Sequence, residues 1–290
     1  MPADRPLPAV ASHRGGRVPL TVPADLHRGA VALAGESRTS VFMVLQAALA
    51  ALLTRLGAGD DIPLGTPVAG RGDDAVDQVV GFFVNTLVLR TDTSGDPTFR
   101  ELLDRVRDTD LSAYDHQDLP FEHLVDVLSP TRSLSHNPLF QVLLSLDTTQ
   151  QDALAALTST GLGVRLLDVT TGVAKLDLAL ELAEHRDADG TPAGLVGAAE
   201  YSADLFDEGT VALLVERFLR LLAALVADPG SAHRRGGRAQ LPGTGPRPGR
   251  VERHAPQSGG PHLRRLRRRA RRRPPGPPRR RVRGRNPDLR

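Results

Sequence analysis

The chain has 290 residues, 40% of them hydrophobic, and no cysteine. That length and apolar content suffice for one sizeable core, while no stretch approaches the about 18 consecutive apolar residues of a membrane span. Without cysteine there can be no disulfide, thiolate metal site or cysteine nucleophile.

The net charge of +3 conceals a division. Of the 37 basic residues, 20 arginines lie from Arg234 onward, and only Glu252 and Asp288 of the 34 acidic ones accompany them. The body is therefore acidic and the tail strongly basic, an asymmetry that ordinarily suggests a nucleic-acid-binding tail. Residues 1–20 are rich in Pro, Arg and Gly and lack the apolar centre of a secretory leader, which points to the cytoplasm. The nine histidines are dispersed, with no pair at ligand spacing on one helix, so no metal site is expected.

Residues 18–22 read as a strand, and Pro23-Ala24-Asp25 opens an amphipathic helix to about residue 34, because proline at a helix start costs no internal hydrogen bond. Ser40 is placed to cap a helix over 41–56 that ends near Gly57. Its apolar residues cover nearly every face, which predicts burial on most sides. Residues 61–68 and 82–90 are candidates for paired strands, with Gly70-Arg71-Gly72-Asp73-Asp74 as an exposed turn.

The run from Phe82 to Leu89 is β-branched and aromatic and predicts a buried strand with Asn85 in its middle. An unpaired amide there costs about 1–3 kcal/mol, so it needs a partner, either neighbouring backbone or a ligand. Thr98 or Asp96 starts a helix over 99–112, whose inner face carries Leu102, Leu103 and Val106. Pro120 opens another over 121–128, with Glu122 where the helix dipole favours an anion. Strands follow at 140–146, 164–169, 176–182 and 195–201. Asp207 caps a last helix over 210–226, and Asp228-Pro229-Gly230 terminates it. Interleaved strands and helices indicate an α/β unit.

Four stretches together carry a resemblance. They are Asp61 through Arg71, with Gly65, Pro67 and Arg71; Val80 through Arg90, with Gly81, Asn85 and Thr86; His116-Gln117-Asp118-Leu119-Pro120-Phe121-Glu122; and Arg132-Ser133-Leu134-Ser135-His136-Asn137-Pro138-Leu139-Phe140-Gln141. In this order and spacing they resemble the later motifs of nonribosomal peptide synthetase condensation domains. The fourth departs slightly, with Ser133 where the family often has Asp and His136 where Arg is usual.

The resemblance implies a chloramphenicol acetyltransferase-like, CoA-dependent-acyltransferase fold of two α/β lobes, with a mixed sheet and packed helices in each. It implies amide-bond formation between acyl groups carried as phosphopantetheine thioesters. No cofactor is then bound directly, and the partners are peptidyl carrier proteins, the N-terminal condensation lobe and an adenylation domain, with neither membrane nor nucleic acid. The family's HHxxxDG motif belongs to the N-terminal lobe and is absent from this sequence. The resemblance therefore assigns residues 1–16 to the inter-lobe connection and 17–230 to the C-terminal lobe, without a catalytic residue of its own. Asn85, Thr86 and Phe83 become candidates for the substrate tunnel.

Individual residues also have plainer readings. Phe82, Phe83, Phe121 and Phe140 read as core; Arg71 as partner to a carboxylate; Arg90 as solvated at a strand end. His116, Gln117 and Asp118 read as a helix-ending loop, and Asn137-Pro138 as turn punctuation before a strand. His185-Arg186-Asp187-Ala188-Asp189-Gly190 satisfies HxxxDG, but it sits in a charged run ending in Asp-Gly, a hairpin signal, so His185 is expected in solvent.

Residues 231–290 cannot bury enough apolar surface to fold and read as a disordered basic tail. They also resemble GC-rich DNA translated off frame. One set of synonymous codons for Arg281 through Arg290, read one base later, spells Val-Phe-Glu-Gly-Ala-Thr-Leu-Thr-Tyr, similar to the opening of an adenylation domain. The same offset turns Val251 through Pro256 into Trp-Ser-Asp-Thr-Pro, similar to an inter-domain linker. The competing reading is an acidic α/β binding domain with a basic nucleic-acid-binding tail, although that tail lacks the aromatics that stack on bases.

Overall fold

The computed structural model describes residues 1–71, 79–131, 133–149, 164, 167 and 169–232. The predicted strand over 164–169, Arg132, the turn residues Gly72, Asp73 and Asp74, and residues 233–290 of the tail lie wholly or mostly outside them.

Among the described residues six strands form one mixed sheet. They are β1 (Gly15–Val22), β2 (Asp61–Val68), β3 (Asn85–Asp92), β4 (Val142–Asp147), β5 (Leu178–Arg186) and β6 (Pro192–Ser202), in the order β1-β6-β5-β4-β2-β3. The central pairs β4–β5 and β2–β4 are parallel; β1–β6, β5–β6 and β2–β3 are antiparallel. The carboxyl ends of β2, β4 and β5 therefore open on one edge.

Alternation along the strands buries Val18, Leu20 and Val22 of β1, Ile62 and Leu64 of β2, Val142 and Leu144 of β4, and Leu178, Leu180 and Leu182 of β5 in one core. Four helices pack into the same core: α1 (Ala24–Ser37), α2 (Val41–Arg55), α3 (Phe99–Tyr114) and α5 (Glu208–Ala227). The eight-residue α4 (Phe121–Leu128) buries none of its residues. No single helix among the described residues is long and apolar enough to cross a membrane.

The helix starts follow the local chemistry. The Ser40 hydroxyl accepts from Met43 N–H, and every residue from Met43 to Thr54 is buried, as a pattern apolar on nearly every face requires. Of the two candidate starts for α3, Thr98 is the cap: a full capping box with Glu101 closes the first turn, while Asp96 sits at φ +53° in the turn before it. Asp207 stands at the N-cap of α5 but makes no side-chain cap bond. The Asp4 carboxylate, 203 positions away, instead ties down the start of the helix, accepting from Asp207 N–H at 2.8 Å and Thr210 Oγ1 at 3.0 Å.

Several boundaries move. β1 begins at Gly15, three residues earlier than predicted and inside the stretch assigned to the connection. β3 begins at Asn85, so the run from Phe82 is not a buried strand: Phe82 is 89% exposed and Val80 fully so. The ladder with the partner strand ends at this point, where Val68 at the end of β2 pairs with Asn85. Of the four phenylalanines read as core, Phe140 is buried, whereas Phe83 and Phe121 are half-buried.

Candidate functional site

The four sequence blocks converge on the edge formed by β2 and β3. Asn85, at the first position of β3, donates both amide hydrogens, to the Gln117 carbonyl at 2.7 Å and the Leu119 carbonyl at 2.8 Å. Its Oδ1 accepts from Thr86 N–H at 2.8 Å and from Phe121 N–H at 3.1 Å. The partner demanded by the sequence is therefore backbone, 32 to 36 residues away, and the amide is fully used inside the protein. One side chain fixes the loop between α3 and α4.

From that loop the contact continues to the fourth block. The Phe121 and Phe140 rings meet edge-on with centroids 5.7 Å apart. Phe140 in turn lies against Gly65 of β2, where an added Cβ would stand 2.2 Å from the ring. Only glycine leaves room there for the ring.

Phe140 follows a tight turn in which its N–H bonds the Pro138 carbonyl at 3.0 Å, with Leu139 at φ +73°. The Gln141 amide donates to the Asn137 carbonyl at 3.0 Å, so Asn137-Pro138 punctuates the turn as expected. Ser133 and His136, the two departures from the family pattern, hydrogen-bond each other, Oγ to Nδ1 at 3.2 Å.

The first two blocks meet through Arg71, whose guanidinium lies 4.3 Å from the Phe83 ring centroid and donates to the Val79 carbonyl at 3.0 Å. Gly70, at φ +64°, backs onto the Phe83 carbonyl so closely that a Cβ would overlap it. Gly81 lies exposed beside the Phe83 ring. An aromatic face and a carbonyl are thus among the groups that hold Arg71. Arg90 is exposed as predicted, but it also forks onto Asp61 across the β2–β3 pair, Nε to Oδ1 at 3.2 Å. His116 donates from Nδ1 to the Ser112 carbonyl at 2.9 Å and is exposed, as is Asp118. These are loop-forming residues, and Pro120 stands at the N-cap of α4.

Beside this cluster a cleft of about 330 Å³ opens at the carboxyl ends of the parallel strands. Thr66 and Pro67 of β2, Leu146 and Thr148 at the end of β4, and Glu184 and Arg186 of β5 line it, with the first turn of α2 and Tyr114 of α3. Of the residues singled out in the sequence, Pro67, Ser40 and Arg186 line this cleft; the tunnel candidates Asn85, Thr86 and Phe83 do not.

His185 was expected in solvent, but it is half-buried, and its neighbour Glu184 is buried. Glu184 is 8% exposed, and its Oε1 accepts from Arg186 Nη2 at 2.7 Å and from the wholly buried His27 at 2.9 Å. Gly194 N–H donates to His27 Nδ1 at 3.1 Å, so the ring's own proton sits on Nε2, facing Glu184. Burial lowers the His27 pKa against the pull of Glu184, keeping the ring neutral. His185 is half-buried beside them, and the Asp-Gly hairpin is present, with Gly190 N–H bonded to the Asp187 carbonyl at 2.8 Å.

The condensation-domain family model matches residues 1–236. The chain belongs to the condensation-domain family. It is 54% identical over 229 residues to a probable non-canonical nonribosomal peptide synthetase, CymA, of Salinispora arenicola, covering 79% of this chain and 3% of that protein. It is also 54% identical over 229 residues to a dimodular nonribosomal peptide synthase of Bacillus subtilis, covering 79% and 10%. Among solved structures, the X-domain from teicoplanin biosynthesis superimposes with a TM-score of 0.73 at 35% identity, over 80% of this chain and 52% of that one. A four-domain nonribosomal peptide synthetase bound to AMP and glycine gives a TM-score of 0.71 at 26% identity, over 80% and 18%. The condensation chain thus spans a tenth or less of these two curated relatives and about half of the X-domain.

Proposed function

We propose that residues 17–230 form the C-terminal lobe of a chloramphenicol acetyltransferase-like condensation domain, entered through residues 1–16. In the reaction, the amine of a carrier-bound acceptor attacks the thioester carbonyl of a carrier-bound donor. The C–N bond forms, the C–S bond breaks, the phosphopantetheine thiol leaves, and the amine gives up a proton.

In this reading the histidine motif that handles that proton sits on the N-terminal lobe. The lobe described above supplies a wall of the substrate tunnel and acts with peptidyl carrier proteins and an adenylation domain, in the cytoplasm. Alone it is inactive. Residues 231–290 are a linker and adenylation-domain start read out of frame, which the coding DNA decides: a shifted frame without the expected strings removes that part.

The observation that carries the proposal is the single contact path from Asn85 through Phe121 and Phe140 to Gly65, which draws motif residues of all four blocks onto one edge. Next to it lie Val80, Phe82 and Val84, exposed by 101%, 89% and 47%, with Leu134 of the fourth block 75% exposed. Apolar side chains so exposed fit a surface that a second lobe covers.

Mixing the chain with the separately expressed N-terminal lobe of the Bacillus relative tests this. A one-to-one complex by ultracentrifugation, with amide exchange slowed at residues 79–84, is expected. No complex, or protection elsewhere only, contradicts the lobe assignment.

A further inference from the structure

The polar groups buried between α2, α3 and β3 do not balance as they stand. Gln46 of α2, Asp110 of α3 and Thr91 of β3 are 0%, 0% and 1% exposed. The Gln46 amide nitrogen donates to Asp110 Oδ1 at 3.0 Å and to Thr91 Oγ1 at 3.2 Å. That leaves Gln46 Oε1 and Asp110 Oδ2, both buried and both without a hydrogen-bond partner. They are the remaining oxygens of two planar groups already joined by one hydrogen bond. Two acceptors with no donor between them leave the site unsatisfied, and buried polar atoms without a partner destabilise a fold. One added proton resolves both at once.

We propose that Asp110 and Gln46 form a carboxylic acid–amide pair, the Asp110 Oδ2 proton donated to Gln46 Oε1, which locks α3 to α2 and makes the seating of Tyr114 and of the loop after it respond to pH. The inference stands on this polar cluster and does not depend on the condensation reading. Burial pushes the Asp110 carboxyl up to about 6, against the pull of the Gln46 amide.

Tyr114, four residues further along α3, is the titratable side chain that faces it. Burial first, and the Asp110 charge second, push that phenol up to about 12. α2 and β3 present the neutral Gln46 and Thr91 to the carboxyl. At the other end of α3, Arg105 is turned to Asp92 and to the Ser94 carbonyl. On the α1 side, Arg100 of α3 is turned outward to Glu36, at 2.8 Å.

The consequence runs along α3. Tyr114 lines the cleft, and the helix passes directly into the loop that Asn85 holds by the Gln117 and Leu119 carbonyls. When Asp110 ionises, its Oδ2–H bond to Gln46 is lost, a buried charge appears at the α2–α3 seam, and α3 is held less firmly. The lock is closed on the acid side and loosens toward alkaline pH.

The test uses the full chain with ¹³C-labelled aspartate. One carboxyl resonance, missing in Asp110→Asn, is expected to titrate near pH 6 instead of near 4. Amide exchange across residues 111–121, corrected for the intrinsic pH effect, is expected to rise severalfold from pH 5 to pH 8 in the unaltered chain and to stay flat in Asp110→Asn. The substituted amide can donate to Gln46 Oε1 as the acid does. At pH 7 it is therefore expected to lower the unfolding equilibrium constant, by at most about a hundredfold, the value of two pKa units, because the amide brings a second N–H that the acid lacks. A carboxyl midpoint near 4 overturns the proposal, and so does a midpoint near 6 with no pH-dependent gain in exchange. Should Asp110→Asn fail to fold, the titration and exchange of the unaltered chain decide.

Discussion

Replacing Asn85 by alanine removes four hydrogen bonds to backbone groups: two donated, to the Gln117 and Leu119 carbonyls, and two accepted, from Thr86 and Phe121. At about 0.5–1.5 kcal/mol net for each, the sum is about 2–6 kcal/mol. Asn85 is half-buried and Leu119 exposed, so water replaces part of the loss, which places the expected cost at about 2–3 kcal/mol. For a domain of this size that lowers Tm by about 4–12 °C.

Asn85→Asp separates the two sides of the amide. It keeps the two accepted bonds and sets a carboxylate oxygen against two carbonyl oxygens, so at pH 7 it should cost at least as much as alanine. Its deficit should shrink as the pH falls and the new carboxyl gains a proton to donate. Denaturant unfolding of the three proteins at pH 5 and pH 7, with amide exchange across residues 116–121, measures all of this. An alanine variant within 0.5 kcal/mol of the parent, or a loop exchanging no faster than before, refutes the assignment of Asn85 as the loop's anchor.

Three further outcomes are expected. Gly65→Ala places a methyl 2.2 Å from the Phe140 ring and should cost about 1–3 kcal/mol in urea unfolding, with Phe140→Leu recovering part of it in the double variant. Because burial holds the His27 pKa below 6.5, the unfolded chain binds a proton there that the folded one refuses. Stability from this residue is thus present above about pH 6.5 and lost as the pH falls through the interval beneath it, and His27→Gln should flatten that segment of the pH–stability curve. Arg90→Ala, which breaks an ion pair exposed on both sides, should change stability by only about 0–1 kcal/mol and by less in high salt.

Helices were legible where local chemistry decides them. Ser40 and Thr98 cap as their side chains dictate, and the run after Val41, apolar on nearly every face, predicts a buried helix. The start of β3 was not legible, because β-propensity marks residues that fit a sheet without saying where the partner runs out. Here it runs out at Val68, which leaves Phe82 outside the sheet.

The four blocks could be recognised as sequence, and the need of Asn85 for a partner followed from its apolar surroundings. The identity of that partner, main chain more than thirty residues away, follows only from the fold. The burial of Glu184 was not legible, because its sequence neighbours are charged. Its burial is made possible by His27, 157 positions earlier, together with Arg186. No local window contains that pairing.

The most direct measurement is a graft. In the Bacillus dimodular synthase, 54% identical over 229 residues, the C-terminal half of the matching condensation domain is replaced by residues 1–232 of this chain, and dipeptide is assayed from loaded carrier proteins. The hybrid is predicted to form the peptide, while the 290-residue chain given the same loaded carriers forms none. A folded hybrid without product, or product from the chain alone, contradicts the account.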